Sequence, residues 1–493
     1  MKVKPKEPPQ IAVKFANMMF VLLILLCVLT VVFASYRIFN PIYAVNLGDT
    51  KIEIFYIISI LFGSVFAVLF GLGLKGLSNN LKVDLSVLFF TVGITVYGFE
   101  TYLEFFKKTY QKNPQERKIQ REIIAKQMGI SFDTRTNMEV LEDLRTTGVE
   151  AFPEVNPSLF RISDGIKTRK DRIYPLGGIS NKTIVFCNES GFMTIYESDE
   201  YGFNNPTGLY KENNVDIVLT GDSFTEGACV KPTDTVSAVL RKLDFNAISI
   251  GKAGNGPLIE LAALKEYAEP LKPKIILWMY YMNDFVNLDK EIKSPILKKY
   301  LTENNYSQNL ISRQKEIDGM LVNYVEVEWE KERERREKER ERREKVKRER
   351  EWLSENPAIR IIKLRNLRTM INLIPNSSAP THPPIFREIL LKSKQMVSGW
   401  GGKMYFVYLP AFDRYSLGVE EKYHDFVMQT ATELDIPIID IHNEVFELHS
   451  DPLSLFPFRM RNLHYNAKGY KLIAEAIGKR LEADNYVSIK SKE

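Results

Sequence analysis

Val215-Asp216-Ile217-Val218-Leu219-Thr220-Gly221-Asp222-Ser223 is the stretch that decides how this chain is read. The run from Val215 to Thr220 reads as a buried β-strand, and Gly-Asp-Ser falls where that strand must end. A helix carrying its apolar face from Ser237 to Leu243 follows. A serine at the C-terminal edge of a strand, ahead of a helix, is placed as an exposed nucleophile. The tripeptide alone also suits an ordinary turn. Three later segments, in order, give it weight.

The first is Ala247-Ile248-Ser249-Ile250-Gly251-Lys252-Ala253-Gly254-Asn255-Gly256-Pro257, a strand ending in a glycine-rich loop. Glycines there let the backbone approach a substrate and aim an N–H at it. The second is Ile275-Ile276-Leu277-Trp278-Met279-Tyr280-Tyr281-Met282-Asn283-Asp284, a strand ending in an amide that can donate a hydrogen bond. The third, His464-Tyr465-Asn466-Ala467-Lys468-Gly469-Tyr470, sets a histidine before the amphipathic helix Lys471 to Leu481. The glycine loop lacks the dinucleotide-binding order of glycines. His382, His424, His442 and His449 show no metal-ligand spacing. No cofactor or metal is called for. The local alternatives are a turn at Ser223, a cap at Asn283 and a helix start at His464.

This ordered set resembles the SGNH (GDSL-type) hydrolase family over residues 195–485, in the type linked to bacterial membranes. The lead-in Tyr196-Glu197-Ser198-Asp199-Glu200-Tyr201-Gly202-Phe203-Asn204-Asn205-Pro206 is similar to that of membrane-linked members. The resemblance implies a flavodoxin-like three-layer α/β sandwich on a central parallel sheet. It makes Ser223 the nucleophile, Gly254 the backbone oxyanion donor, Asn283 the side-chain oxyanion donor and His464 the general base. Two positions depart from the family pattern. Tyr281 stands where a glycine usually precedes the asparagine by two. Arg461 stands where an Asp usually precedes the histidine by three, with Asn462 next to it. That carboxylate normally fixes the imidazole tautomer. A backbone carbonyl or a distant acid replaces it, or the site is a Ser-His dyad, or it is inactive. The expected function is a serine esterase or O-acyl transferase on an acylated envelope glycan or lipid. The rival is a catalytically impaired scaffold that works through its charged helix.

Residues 1–106 are a different kind of sequence. Three apolar runs, at about 16–34, 54–74 and 85–106, are each long enough to span a bilayer, with Glu100 inside the third. Two further spans follow the first, which argues for a retained anchor over a cleaved signal peptide. Lysines flank both sides, and a basic patch from Lys107 to Arg121 follows the third span, so charge does not settle orientation. The resemblance implies a multi-pass protein of the cytoplasmic membrane with the hydrolase domain exported.

The remainder divides into a helical connector (107–150) with a helix start at Asn137, a small β-rich pre-domain (151–194) and the hydrolase domain (195–485). Lys403 to Pro410 and Ile436 to Ile441 supply two more strands, and alternation of strands with helices implies a parallel sheet. Glu328 to Glu351 is a nearly pure Glu/Arg/Lys tract with many i,i+4 pairs, each worth about 0.2–0.5 kcal/mol. It reads as a solvated single helix inserted at about 326–352, open to a protein partner but without coiled-coil heptads. A net charge of +5 spread over 493 residues does not imply nucleic acid as a partner. Of the three cysteines, Cys187 and Cys229 form a disulfide if exported, or stay as two buried thiols.

Overall fold

The computed structural model describes residues 7–39, 50–106, 114–210, 215–327, 383–418, 421, 423–461 and 463–486, with single positions at 361, 364 and 367. The charged tract from Glu328 to Glu351, and Asn462, lie outside the described residues. The chain divides into two compact units. The first contains 7–106 with the three single positions, and the second contains the other described residues.

The first unit is three helices: α1 (Gln10–Phe39), α2 (Thr50–Gly76) and α3 (Asn79–Phe106). Each is long and apolar enough to cross a membrane, over Gln10–Tyr36, Tyr56–Gly76 and Asn79–Leu103. Small residues let such helices approach closely. A Cβ on Gly63 of α2 would lie 2.8 Å from Val31 Cγ2 and 3.3 Å from the Cys27 carbonyl of α1. Glu100 is buried and accepts a hydrogen bond from the Leu367 N–H at 2.7 Å.

The second unit opens with α4 (Pro114–Gln127) and α5 (Asn137–Thr146). Thr136 and Glu139 form a reciprocal capping box at the start of α5, as the helix start at Asn137 requires. Strands β1 (Ala151–Pro153), β4 (Thr183–Val185) and β5 (Ile195–Glu197) make a small mixed sheet in the order β1-β4-β5. Between them lies the hairpin β2 (Ile166–Lys167) and β3 (Arg172–Ile173). The third strand lies past the expected boundary at 194. Phe152, Ile184 and Tyr196 of this sheet belong to the same apolar core as the strands that follow.

Those strands are β6 (Ile217–Gly221), β7 (Ala247–Ser249), β8 (Ile275–Tyr280), β9 (Lys403–Tyr408) and β10 (Ile438–Asp440). All pairs are parallel, in the order β7-β6-β8-β9-β10. This is the flavodoxin-like 2-1-3-4-5 order, and its ligand crevice lies where the order reverses, at the C-terminal ends of β6, β7 and β8. The helices are α6 (Ser223–Glu226), α7 (Val236–Lys242), α8 (Pro257–Ala263), α9 (Asp284–Glu291), α10 (Pro295–Thr302), α11 (314–327), α12 (Pro383–Gly399), α13 (Phe412–Leu417), α14 (His424–Glu433) and α15 (Ala467–Ala483).

Alternate side chains of each strand face opposite layers. Val218, Ile248, Ile276, Trp278 and Phe406 pack with Ile259 of α8 and Leu390 of α12. Ile217, Leu219, Leu277, Tyr405 and Val407 pack with Leu240 of α7 and Ile473 and Ile477 of α15. Both faces are covered, which is why the strands read as continuous apolar runs. The expected three-layer α/β sandwich is the fold of this unit.

Candidate active site

β6 is buried along its whole length and ends at Gly221. A Cβ there would lie 2.1 Å from Thr225 Oγ1 and 2.8 Å from the Met279 carbonyl, so only glycine fits beneath the turn. Asp222 caps α6 by accepting the Phe224 N–H at 2.9 Å. Its other oxygen accepts the Asn283 Nδ2–H at 3.0 Å. Ser223 is the first residue of α6, so its backbone N–H is one of the donors a helix start leaves open.

His464 Nε2 lies 2.8 Å from Ser223 Oγ. The imidazole is fixed from several sides. Tyr465 donates its buried hydroxyl to the Pro410 carbonyl at 2.6 Å, and Asn466 caps α15 by accepting the Gly469 N–H at 3.0 Å. Phe224 lies against the ring, centroids 4.7 Å apart, and Tyr281 stacks behind Phe224 at 3.9 Å. The tyrosine in the family's glycine position thus braces the histidine's apolar wall.

Arg461, three residues before His464, turns outward and pairs with Asp413. The carboxylate at the imidazole comes instead from Glu189. Both its oxygens lie 3.1 Å from His464 Nδ1, and Oε2 also accepts the His464 backbone N–H at 2.7 Å. This fixes the tautomer: Nδ1 carries the proton toward Glu189, and Nε2 is left to accept from the serine hydroxyl. Burial opposes charging of the ring, but the adjacent Glu189 charge and hydrogen bond, with Asp222 and Glu226 behind, raise its pKa above the ordinary histidine value.

Glu189 is itself tightly held. Asn188 accepts the Gly191 N–H at 2.9 Å and donates to the Asp133 carbonyl at 2.8 Å, while Arg121 of α4 donates to the Asn188 carbonyl at 2.8 Å. Two residues upstream, Cys187 is disulfide-bonded to Cys229, with Cα atoms 5.1 Å apart. Of the two alternatives, the disulfide is the one formed, and it ties the segment after β4 to the segment just after α6. Glu189, Cys229 and His464 are also a cluster of metal-ligating residue types. The sulfur is already in the disulfide and the imidazole spans Ser223 and Glu189, so the trio does not fit a metal ion.

The glycine loop is held just as firmly. Glu226 Oε2 accepts the Ala253 N–H at 2.7 Å, and Arg161 donates to the Gly254 carbonyl. Asn287 donates to the Asn255 carbonyl at 3.0 Å, and Glu291 accepts the Gly256 N–H at 2.6 Å. Gly254 has φ +75°, and a Cβ there would meet Ser158 Oγ at 2.9 Å. Among the described residues, neither the Ser223 nor the Gly254 backbone N–H donates a hydrogen bond. Asn283 Nδ2 spends one proton on Asp222. Donors left unspent on loops leaving one sheet edge are what a developing oxyanion needs.

Of the residues expected from the sequence, Ser223 and His464 are in hydrogen-bond contact, Asn283 meets Asp222, and Gly254 lies on the glycine loop. Glu189, Arg161, Glu226, Lys252 and Glu291, which hold the imidazole and that loop, were not anticipated. Glu189 had a signal. Pairing Cys187 with Cys229 carries the carboxylate two residues on to the nucleophile's neighbourhood.

No family model and no curated protein matches this chain. Solved structures do match. They include the crystal structure of TesA, at 11% identity, covering 54% of this chain and 98% of that one, with a TM-score of 0.30. A lipolytic protein of the G-D-S-L family from Desulfitobacterium hafniense is 11% identical over 54% of this chain and 98% of its own, with a TM-score of 0.29. An acylhydrolase from Bacteroides fragilis is 12% identical over 56% and 89%, with a TM-score of 0.28. The second unit is a three-layer α/β sandwich on a five-stranded parallel sheet in the 2-1-3-4-5 order. Its Ser, Gly, Asn and His blocks lie on the chain in the order the SGNH pattern requires.

Proposed function

We propose that this chain is a membrane-anchored SGNH-type serine esterase or O-acyl transferase that acts on acyl esters of an envelope glycan or lipid. The observation that carries the reading is the continuous relay Ser223–His464–Glu189, at 2.8 and 3.1 Å. His464 Nε2 takes the Ser223 proton as Oγ attacks the ester carbonyl carbon. Glu189 stabilises the imidazolium that forms. The Ser223 and Gly254 N–H groups and the Asn283 amide receive the oxyanion. The tetrahedral intermediate collapses, His464 returns the proton to the departing alkoxide, and an acyl-serine remains. Water or an acceptor hydroxyl, deprotonated by the same histidine, then releases the acyl group. Glu189 at His464 Nδ1 supports an active site although Arg461 stands where the SGNH pattern usually has an Asp.

The anchor and the disulfide support an exported catalytic unit facing envelope substrates. Purified full chain is expected to hydrolyse p-nitrophenyl acetate and to be labelled by a fluorophosphonate probe. Ser223→Ala and His464→Ala should each abolish hydrolysis to a similar extent, because the pair acts as a unit. Full activity in either variant would sink the assignment. Acyl transfer is distinguished by adding an acetylatable oligosaccharide and measuring how product divides between it and water.

A further inference from the structure

The hairpin β2–β3 projects from the segment that touches the glycine loop. Its turn reads Lys167-Thr168-Arg169-Lys170-Asp171-Arg172. With Lys299 of α10, Tyr306 and Arg313 it walls an open basin of about 640 Å³. Six cations and one carboxylate, Asp171, line the basin. Glu316 also accepts from Arg313 at 2.9 Å, which leaves a local excess of four against a formal net charge of +5 for all 493 residues.

Asp171 is already spent. Arg313 donates to its two oxygens at 2.8 and 3.0 Å, Thr168 donates at 2.6 Å, and the carboxyl titrates at about 2 because of the arginine first and the threonine second. This pair shapes the turn. Arg172 donates to the Ser163 and Gly165 carbonyls, which fixes its guanidinium without neutralising it. Lys299 Nζ sits 5.2 Å from the Tyr306 ring centroid. Among the described residues, no carboxylate pairs with Lys167, Arg169, Lys170, Arg172 or Lys299. Elsewhere in the unit cations do find acids: Arg145 with Glu326, Lys265 with Glu269 and Arg480 with Asp484. Concentrated charge of one sign in a concave site attracts ligands of the other.

We infer that this basin is a subsite for an anionic oligomer, a chain bearing carboxylates or phosphates, whose ester is presented to Ser223. The inference rests on the esterase or transferase reading above. Position favours an extended ligand. Arg161 touches Gly254, and Lys167 is six residues further on, at most about 22 Å along a fully extended backbone. An oligomer of several units spans that distance. The cations also come from separate elements, so they track a chain better than they cage one ion.

Binding is measured on full-length Ser223→Ala protein in nanodiscs of neutral lipid. The probes are fluorescent oligogalacturonate, polyphosphate of matched charge and a neutral malto-oligosaccharide. At least one anionic probe should bind, with affinity falling as salt rises, and the neutral one should not. The anion that binds more tightly identifies the source of charge. The triple substitution Lys167→Glu, Arg169→Glu, Lys170→Glu should weaken binding at least tenfold. In the active chain the same triple should leave p-nitrophenyl acetate hydrolysis and the thermal melt unchanged while raising KM for an acetylated polyanion. Undiminished binding in the triple variant overturns the inference. So does loss of oligomer binding when anionic lipid is added, if the triple removes that lipid effect, because the basin then faces a bilayer. A chain that binds the polyanion through these residues but hydrolyses no ester retains the subsite and loses the esterase reading.

Discussion

Glu189 accepts from both the ring Nδ1–H and the backbone N–H of His464, so it sets the position of the imidazole as well as its charge. Its effect on proton affinity has a definite sign. Burial alone would lower the histidine's pKa, and Glu189 is the largest influence that raises it. In the proposed mechanism the neutral ring is the base, so kcat/KM should rise with pH through a pKa above the ordinary histidine value. Glu189→Gln keeps the shape and removes the charge. The acidic limb should then move to lower pH, because burial acts without its main opponent. At the same time kcat should fall by about a hundred- to ten-thousandfold, as the imidazolium loses its counter-charge and the tautomer its lock. A pH–rate profile of the two proteins checks both effects. An unmoved acidic limb would mean that another group orients His464.

The glycine loop that follows β7 is held by groups from three parts of the chain. Lys252 is fully buried and its Nζ pairs with Glu226 at 2.7 Å, with Glu154 after β1, and with the Tyr196 hydroxyl of β5 at 3.2 Å. Burial opposes the lysine's charge, but the two carboxylates hold its pKa above normal. Glu226 spends its other oxygen on the Ala253 N–H, one residue before Gly254. The β1-β4-β5 sheet is thereby wired to the peptide beside Gly254, the proposed backbone donor. Glu226→Ala should cut kcat by about a hundred- to thousandfold with KM little changed, the size of effect seen when one oxyanion donor is lost. Part of the outcome is structural, since buried Lys252 loses one of its two carboxylate partners and keeps only Glu154. Glu226→Gln separates the two. It retains an acceptor for Ala253, so it should recover much of the rate while still lowering the unfolding free energy in urea. Equal rate losses in both variants would remove the positioning role.

For the whole molecule, what was legible followed from periodicity and what was not followed from contacts between distant segments. The strands β6, β8 and β9 announce themselves as apolar runs because both faces of the sheet are covered, and Gly221 and Gly254 mark turns that a Cβ would block. Glu189 and Lys252 carry no such mark. A carboxylate in a turn and a lysine in a glycine loop look solvated until the fold brings their partners, His464 for one, Glu154 and Glu226 for the other. The same long-range link bears on orientation. Flanking charges do not decide it, whereas the Cys187–Cys229 disulfide needs an oxidising compartment to persist. With three spans, export of the second unit requires a cytoplasmic N-terminus. A reporter active only outside the cytoplasm, fused after Glu493, should be active, and alkylation of unreduced protein should modify Cys27 but neither Cys187 nor Cys229. In a 42-residue loop the bond removes about 4 kcal/mol of unfolded-chain entropy. Reduction should therefore lower the unfolding midpoint and, by freeing the segment that carries Glu189, lower kcat as well. A reporter active only in the cytoplasm, together with two alkylated thiols, would reverse the topology and leave Glu189 held by Asn188 and Arg121 alone.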